Sequence, residues 1–161
     1  AFNVAFSKEK PPFKNILVLD KPKVYKEIIF QDRDGNKLDL NQINTNEIYI
    51  LNFWATWCAP CREEMPSLDK LQNLKILTNL KVIPINVGQE KIEKSVDFFS
   101  ELNVKNLELY FDNTIKLAKT FSLRGLPTTI IVNKEGEEFA RIVGSIDFSD
   151  EKFINWLSKY N

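Results

Sequence analysis

The chain has 161 residues, 43% of them hydrophobic and 27% charged, and its 22 basic side chains balance 22 acidic ones. That describes one domain with a sizeable core, and the zero formal charge argues against a nucleic-acid partner or a polybasic membrane patch. There is no histidine and there are two cysteines, which excludes Ser-His and Cys-His nucleophile pairs and His-containing metal sites.

The chain begins at Ala1 rather than Met, which suggests an end trimmed by processing or by design, a place where a signal peptide or membrane anchor could have been lost. No apolar run reaches the roughly 20 residues of a membrane helix. Residues 1–23 are polar and carry Pro11, Pro12 and Pro22. They read as a flexible lead-in or tether, with one apolar run, Ile16 to Leu19, suited to packing as an edge strand. The domain proper then covers 24–161.

Val24 to Phe30 reads as a strand, and Asp34-Gly35 turns it into Lys37 to Leu40 as an N-terminal β-hairpin. Ile48 to Trp54 is almost wholly apolar, β-branched and aromatic, as in a strand buried on both faces. Met65, Leu68, Leu71, Leu74 and Leu77 follow at helical spacing, and Pro66 inside that pattern predicts a kink. Val82 to Val87 is a strand in which Pro84 predicts an irregular position, because proline removes a ladder donor.

Lys91 to Leu102 reads as an inserted helix and Leu107 to Phe111 as a short strand. Asp112 or Thr114 then caps a helix carrying Ile115, Ala118 and Phe121. Thr128 to Val132 turns at Lys134-Glu135-Gly136 into Glu138 to Val143. The last helix starts near Ser149, with Asp150 and Glu151 where the dipole favours negative charge, and Phe153, Trp156, Leu157 and Tyr160 as its buried stripe. The alternation of elements, ending β-β-α, predicts an α/β fold with a central mixed β-sheet flanked by helices.

Both cysteines lie in Trp57-Cys58-Ala59-Pro60-Cys61. Two thiolates without histidine fall short of the four ligands of structural zinc. A redox pair, a structural disulfide and a metal site all remain possible for a bare C-x2-C. The context favours redox chemistry, because the motif follows a buried strand and opens a helix. Pro60 suits a first helical turn. Cys58 would then face unpaired N–H groups at the helix N-terminus, which stabilise a thiolate. Cys58 is thus expected to be the nucleophile and Cys61, one turn on and more buried, the resolving thiol.

Leu51-Asn52-Phe53-Trp54-Ala55-Thr56-Trp57-Cys58-Ala59-Pro60-Cys61-Arg62-Glu63-Glu64-Met65-Pro66 resembles the active-site segment of the TlpA/ResA-like thioredoxins, extracytoplasmic thiol–disulfide oxidoreductases of bacteria. Gly125-Leu126-Pro127-Thr128-Thr129, followed by a strand and Lys134-Glu135-Gly136, resembles their second signature, and the likeness runs through residues 24–159. The resemblance implies a thioredoxin fold, a cis Pro127 beside the cysteines, and a substrate strand pairing with the backbone of Leu126. It also implies a docking surface formed with Trp57, Ala59 and Pro60. Read without the family, Gly125-Leu126-Pro127 is an ordinary turn and Trp57 a core residue.

Thioredoxin carries a buried Asp on its central strand that helps move the resolving thiol's proton; the matching position here is Asn52. The resemblance offers Glu64 as the replacement, since some TlpA/ResA-like members carry an acidic residue there near their site; its i, i+3 spacing from Cys61 agrees, with a solvated helix-face charge as the alternative. No histidine sits between the cysteines, unlike strongly oxidising relatives, so the resemblance favours a protein-disulfide reductase over an oxidase or isomerase. Thr128 replaces the Glu common after cis-Pro in the cytochrome c-maturation branch, which favours a general TlpA-like reductase. The implied partners are cysteine-containing proteins, with heme- and copper-site proteins as candidates, and a membrane or soluble dithiol donor. The implied setting is periplasmic, with a membrane link only through a lost anchor, and no organic cofactor is implied. A Cu(I) chaperone is a weaker alternative, since the thioredoxin-like ones add a histidine. A peroxidase reading lacks its Pro-x3-Thr-x2-Cys pattern around either cysteine.

Overall fold

The computed structural model describes residues 10–43 and 46–161. Its axis is β4 (Ile48–Trp54), all seven residues of which are buried. Side chains alternate along a strand, so Ile48, Ile50 and Trp54 enter one apolar cluster while Tyr49, Leu51 and Phe53 enter another. Such a strand needs a partner on each edge. β5 (Leu80–Asn86) runs parallel to it from Ile48↔Leu80 to Trp54↔Asn86. β7 (Thr128–Val132) runs antiparallel from Tyr49↔Val132 to Phe53↔Thr128.

Outside β7 lie β8 (Glu138–Val143) and β1 (Ile16–Lys23), both antiparallel to their neighbours. Outside β5 lie β6 (Tyr110–Phe111) and then the hairpin of β2 (Ile29–Asp32) and β3 (Lys37–Asp39). The result is one eight-stranded mixed sheet in the order β1-β8-β7-β4-β5-β6-β2-β3. Met65, Leu68 and Leu71 of α2 (Ala59–Gln72), Phe98 and Phe99 of α3 (Ile92–Glu101), and Phe153, Trp156 and Leu157 of α5 (Glu151–Ser158) cover one face. Leu40 of α1 (Leu40–Ile43), Leu117 of α4 (Lys116–Thr120) and Phe121 cover the other. The mixed sheet, flanking helices, N-terminal hairpin and inserted helix follow the sequence expectation.

Several boundaries differ. The run Ile16 to Leu19, read as suited to an edge strand, does form one, and it extends to Lys23 as β1 on β8, with Ile16 buried against Ile142 and a register shift between Val18 and Lys23. The folded part of the chain thus begins before Val24, and residues 1–9 of the expected lead-in lie outside the described residues. β2 starts at Ile29, not Val24; Tyr25 and Ile28 reach the core from a loop instead. α2 continues through Pro66 and ends at Gln72, so Leu74 and Leu77 pack from turns beyond the helix. β6 spans two residues rather than five.

Pro84 sits in the parallel ladder opposite Asn52. Two residues earlier the Val82 N–H points away from β4 and donates to Gln72 Oε1 at 2.6 Å. Strand periodicity gives Pro84 the same orientation, and β6 pairs only with Ile85 and Asn86. Its missing donor therefore falls on a stretch of edge that no strand occupies. Asp112 does cap α4, but from outside the N-cap position. Its carboxylate accepts from the Leu117 and Ala118 N–H groups at 3.2 and 2.9 Å, while Ile115 holds the N-cap at φ 52°.

Candidate active site

β4 carries the chain to a short loop, 55–57, that ends at α2. This loop is braced from the β5–α3 connection. The Thr56 N–H donates to Glu90 Oε2 at 3.2 Å and the Thr56 hydroxyl to Glu90 Oε1. Asn86 Nδ2 donates to Glu90 Oε2 and to Ser95 Oγ, both at 3.0 Å, and Asn86 Oδ1 accepts the Gly88 N–H at 2.7 Å. A Cβ at residue 88 would lie 2.9 Å from the Glu90 carboxylate and 3.0 Å from the Ala55 Cβ. Glycine is what lets the brace close.

Cys58 is the N-cap of α2, in extended conformation, with Pro60 in the first turn. Its Sγ accepts the Cys61 N–H at 3.3 Å and is joined to Cys61 Sγ as a disulfide. The Cys61 N–H and the positive dipole end of α2 thus face this sulfur, a setting that favours a thiolate. Cys58 is 6% exposed and Cys61 0%. Trp57, Ala59 and Pro60 surround Cys58 on the exposed surface, Trp57 at 68%.

Glu64 is buried, not a solvated helix-face charge. Its Oε1 accepts from Asn52 Nδ2 at 2.8 Å and its Oε2 from the Ile146 N–H at 3.2 Å. Burial pushes its pKa from an ordinary 4.5 up to about 7, against the downward pull of those two donors. Ser67, one turn on, donates to the Glu64 carbonyl at 2.6 Å and accepts the Phe148 N–H at 2.9 Å, which ties the 146–148 segment to α2.

The second motif lies at the end of β4 that leads to the cysteines. Phe53 pairs with Thr128, and continuing the antiparallel register by one step brings Pro127 level with Trp54. The Leu126-Pro127 bond is cis. The Pro127 carbonyl accepts the Gly144 N–H at 2.9 Å, and the Thr128 hydroxyl donates to the Gly125 carbonyl at 2.7 Å. Leu126 stands just off the paired end of β7 and packs on both apolar clusters, one of which contains Cys58 and Cys61.

Thr129, Ile146, Asn86 and Glu90 contribute to this site without having been singled out in the sequence. Among the described residues, no group of three or more His, Cys, Asp or Glu side chains could hold a metal ion, and no helix is long and apolar enough to cross a membrane. A cleft of about 530 Å³ between the 32–34 turn and α3 includes neither cysteine.

The AhpC/TSA family model matches residues 23–137, a span that holds both cysteines, Glu64 and the cis-proline. The chain belongs to the AhpC/TSA family. It is 28% identical to the thiol-disulfide oxidoreductase ResA of Geobacillus kaustophilus over 124 residues, covering 77% of this chain and 70% of that one. Its fold is that of StoA from Bacillus subtilis (TM-score 0.68, 21% identity, 84% and 99% of the two chains). It is likewise that of a secreted thiol-disulfide isomerase of Corynebacterium glutamicum (TM-score 0.72, 22% identity, 88% and 90%). The ResA-like resemblance and the thioredoxin-like fold therefore hold. With a disulfide at the N-terminus of α2, this AhpC/TSA family member is a thiol–disulfide oxidoreductase.

Proposed function

We propose that the enzyme reduces disulfides in partner proteins outside the cytoplasm, with Cys58 as nucleophile, Cys61 as resolving thiol and Glu64 as proton acceptor. The observation that carries this reading is the asymmetry of the pair. The Cys58 sulfur meets the N-terminus of α2 near the surface, while Cys61 is fully buried behind it.

In the reduced enzyme the Cys58 thiolate attacks one sulfur of a substrate disulfide. A mixed disulfide forms and the other substrate sulfur leaves as a thiolate. The Cys61 proton passes to Glu64, and the Cys61 thiolate then attacks Cys58 Sγ. That step closes the enzyme disulfide and releases the second substrate thiolate. Two electrons have moved to substrate, and an external dithiol donor returns the enzyme to its starting state. A carboxyl titrating near 7 suits a proton acceptor that works at neutral pH. The exposed Trp57, Ala59 and Pro60 would receive the substrate, and the backbone at Leu126, before Pro127, would pair with its chain.

The reducing direction is supported by the residues between the cysteines, Ala59 and Pro60, which supply no charge to hold a strongly oxidising thiolate. The secreted relative supports an extracytoplasmic setting. Proteins whose cysteines must be free to take heme, as in cytochrome c maturation, or copper are candidate substrates. A reduction potential near about −270 mV is expected, as for thioredoxin; one near about −120 mV would make the enzyme an oxidant. Stoichiometric Cu(I) retained through purification, without insulin reduction, would support the copper-chaperone reading instead.

A further inference from the structure

Asn52 and Thr129 are directly opposite in the β4–β7 register and share the face that α2 covers. Both are fully buried. The two N–H bonds of Asn52 Nδ2 go to Glu64 Oε1 at 2.8 Å and to Thr129 Oγ1 at 3.0 Å. Asn52 Oδ1 is buried with no hydrogen-bond partner. An orphaned carbonyl oxygen destabilises a fold, and an apolar side chain of similar volume, such as Leu, would avoid it. Packing alone does not account for an amide here.

We propose that Asn52 and Thr129 are positioning residues for disulfide exchange, aiming an amide donor at Glu64 and keeping its carboxylate ready to take the Cys61 proton. This rests on the reading of Glu64 as that acceptor. Thr129 takes the second N–H, so both donors of the Asn52 nitrogen are engaged and the carboxamide presents nitrogen, not oxygen, to the carboxylate. The orphaned oxygen has a use once the proton has moved. Protonated Glu64 is a donor, and a half-turn of the carboxamide brings Oδ1 to meet it. A threonine hydroxyl both accepts and donates, so Thr129 serves either orientation, which Val could not. In this step a proton leaves Cys61 Sγ for Glu64 and no electrons move.

The surroundings of Glu64 leave this pair in control. β4 presents Asn52, β7 presents Thr129, and the 146–148 segment presents the Ile146 N–H. Asp147 is turned to Ser149. On α2 itself Cys61 lies one turn before Glu64 and titrates only when reduced. Among the described residues no charged side chain hydrogen-bonds or ion-pairs with Glu64.

The test is carboxyl-detected NMR titration of Glu64 in the disulfide form of the wild type and of Asn52→Leu, Thr129→Val and Thr129→Ser, with Glu64→Gln to assign the signal. Loss of one hydrogen bond to the ionised carboxylate should raise the Glu64 midpoint by about one pH unit in Asn52→Leu. Thr129→Val should raise it less, and Thr129→Ser should restore the wild-type value. The pH midpoint for substrate release from the mixed disulfide should move with it. An unmoved Glu64 midpoint in both Asn52→Leu and Thr129→Val overturns the proposal; should Asn52→Leu fail to fold, the Thr129 pair decides alone. A Glu64→Gln enzyme with the wild-type release profile overturns instead the reading of Glu64 as proton acceptor, even where the titration moves.

Discussion

Glu64 should make the oxidised protein less stable as the pH rises, and Glu64→Gln should abolish that loss. The carboxyl is 2% exposed, and its pKa rises from 4.5 to about 7 on folding. Below 4.5 it is protonated in both folded and unfolded chains and contributes no pH dependence. Between 4.5 and about 7 the native state holds the proton and the unfolded state has released it. Stability therefore falls across this window and is level above it. At about 1.4 kcal/mol per pH unit the loss is about 3 kcal/mol. Gln matches the protonated acid: its oxygen can accept from Ile146, and its amide can donate to Asn52 Oδ1 once that carboxamide makes its half-turn. Asp32, Glu90 and Asp147, whose pKa values are lowered, act in the opposite sense and at lower pH, and they are common to both proteins. Urea unfolding of both disulfide forms from pH 4 to pH 8.5, compared as a difference, isolates Glu64. The difference should move by about 3 kcal/mol in favour of the Glu64→Gln variant as pH rises. A pH-independent difference would refute the reasoning.

Trp57→Ala should leave the melting temperature unchanged, because the ring is 68% exposed, yet lower kcat/KM for a protein disulfide about tenfold; reduction of a small-molecule disulfide should barely change. Asp150→Ala removes the side chain that accepts the Lys152 N–H at the start of α5. It should cost about 1 kcal/mol, seen as a lower urea midpoint with an unchanged slope. Glu90→Gln keeps the size of the side chain but weakens the charge-assisted bonds to Thr56, so hydrogen exchange of the Thr56 amide should quicken about tenfold by NMR.

The central strands were legible because their side chains alone specify them. Ile48 to Trp54 has no polar residue except Asn52, and the β7–β8 hairpin turns at Gly136, whose φ of +84° suits glycine. β1 was harder. An edge strand pairs on one side and here buries only Ile16, so Asp20, Lys21 and Pro22 look like linker and are tolerated. Leu74 and Leu77 keep helical spacing beyond Gln72 while the backbone has already turned, since apolar burial there is achieved without a helix. At the site, Cys58 and Cys61 follow from their spacing at the start of one helix, and the family resemblance, together with i, i+3 spacing from Cys61, singles out Glu64. The partners of Glu64 do not: Ile146 is 82 residues away, and Thr129 meets Asn52 only through the pairing register of β4 and β7. Local sequence carries neither contact.

Trapping tests the central claim most directly. Reduced Cys61→Ser is mixed with a disulfide-bonded protein such as insulin, quenched by alkylation and mapped by mass spectrometry. A stable adduct on Cys58 is the predicted result, released only by added dithiol, with no comparable adduct on Cys61 in Cys58→Ser. An adduct on Cys61 in Cys58→Ser at the rate of the Cys61→Ser reaction, or no adduct on Cys58 at all, would contradict the assignment of Cys58 as nucleophile.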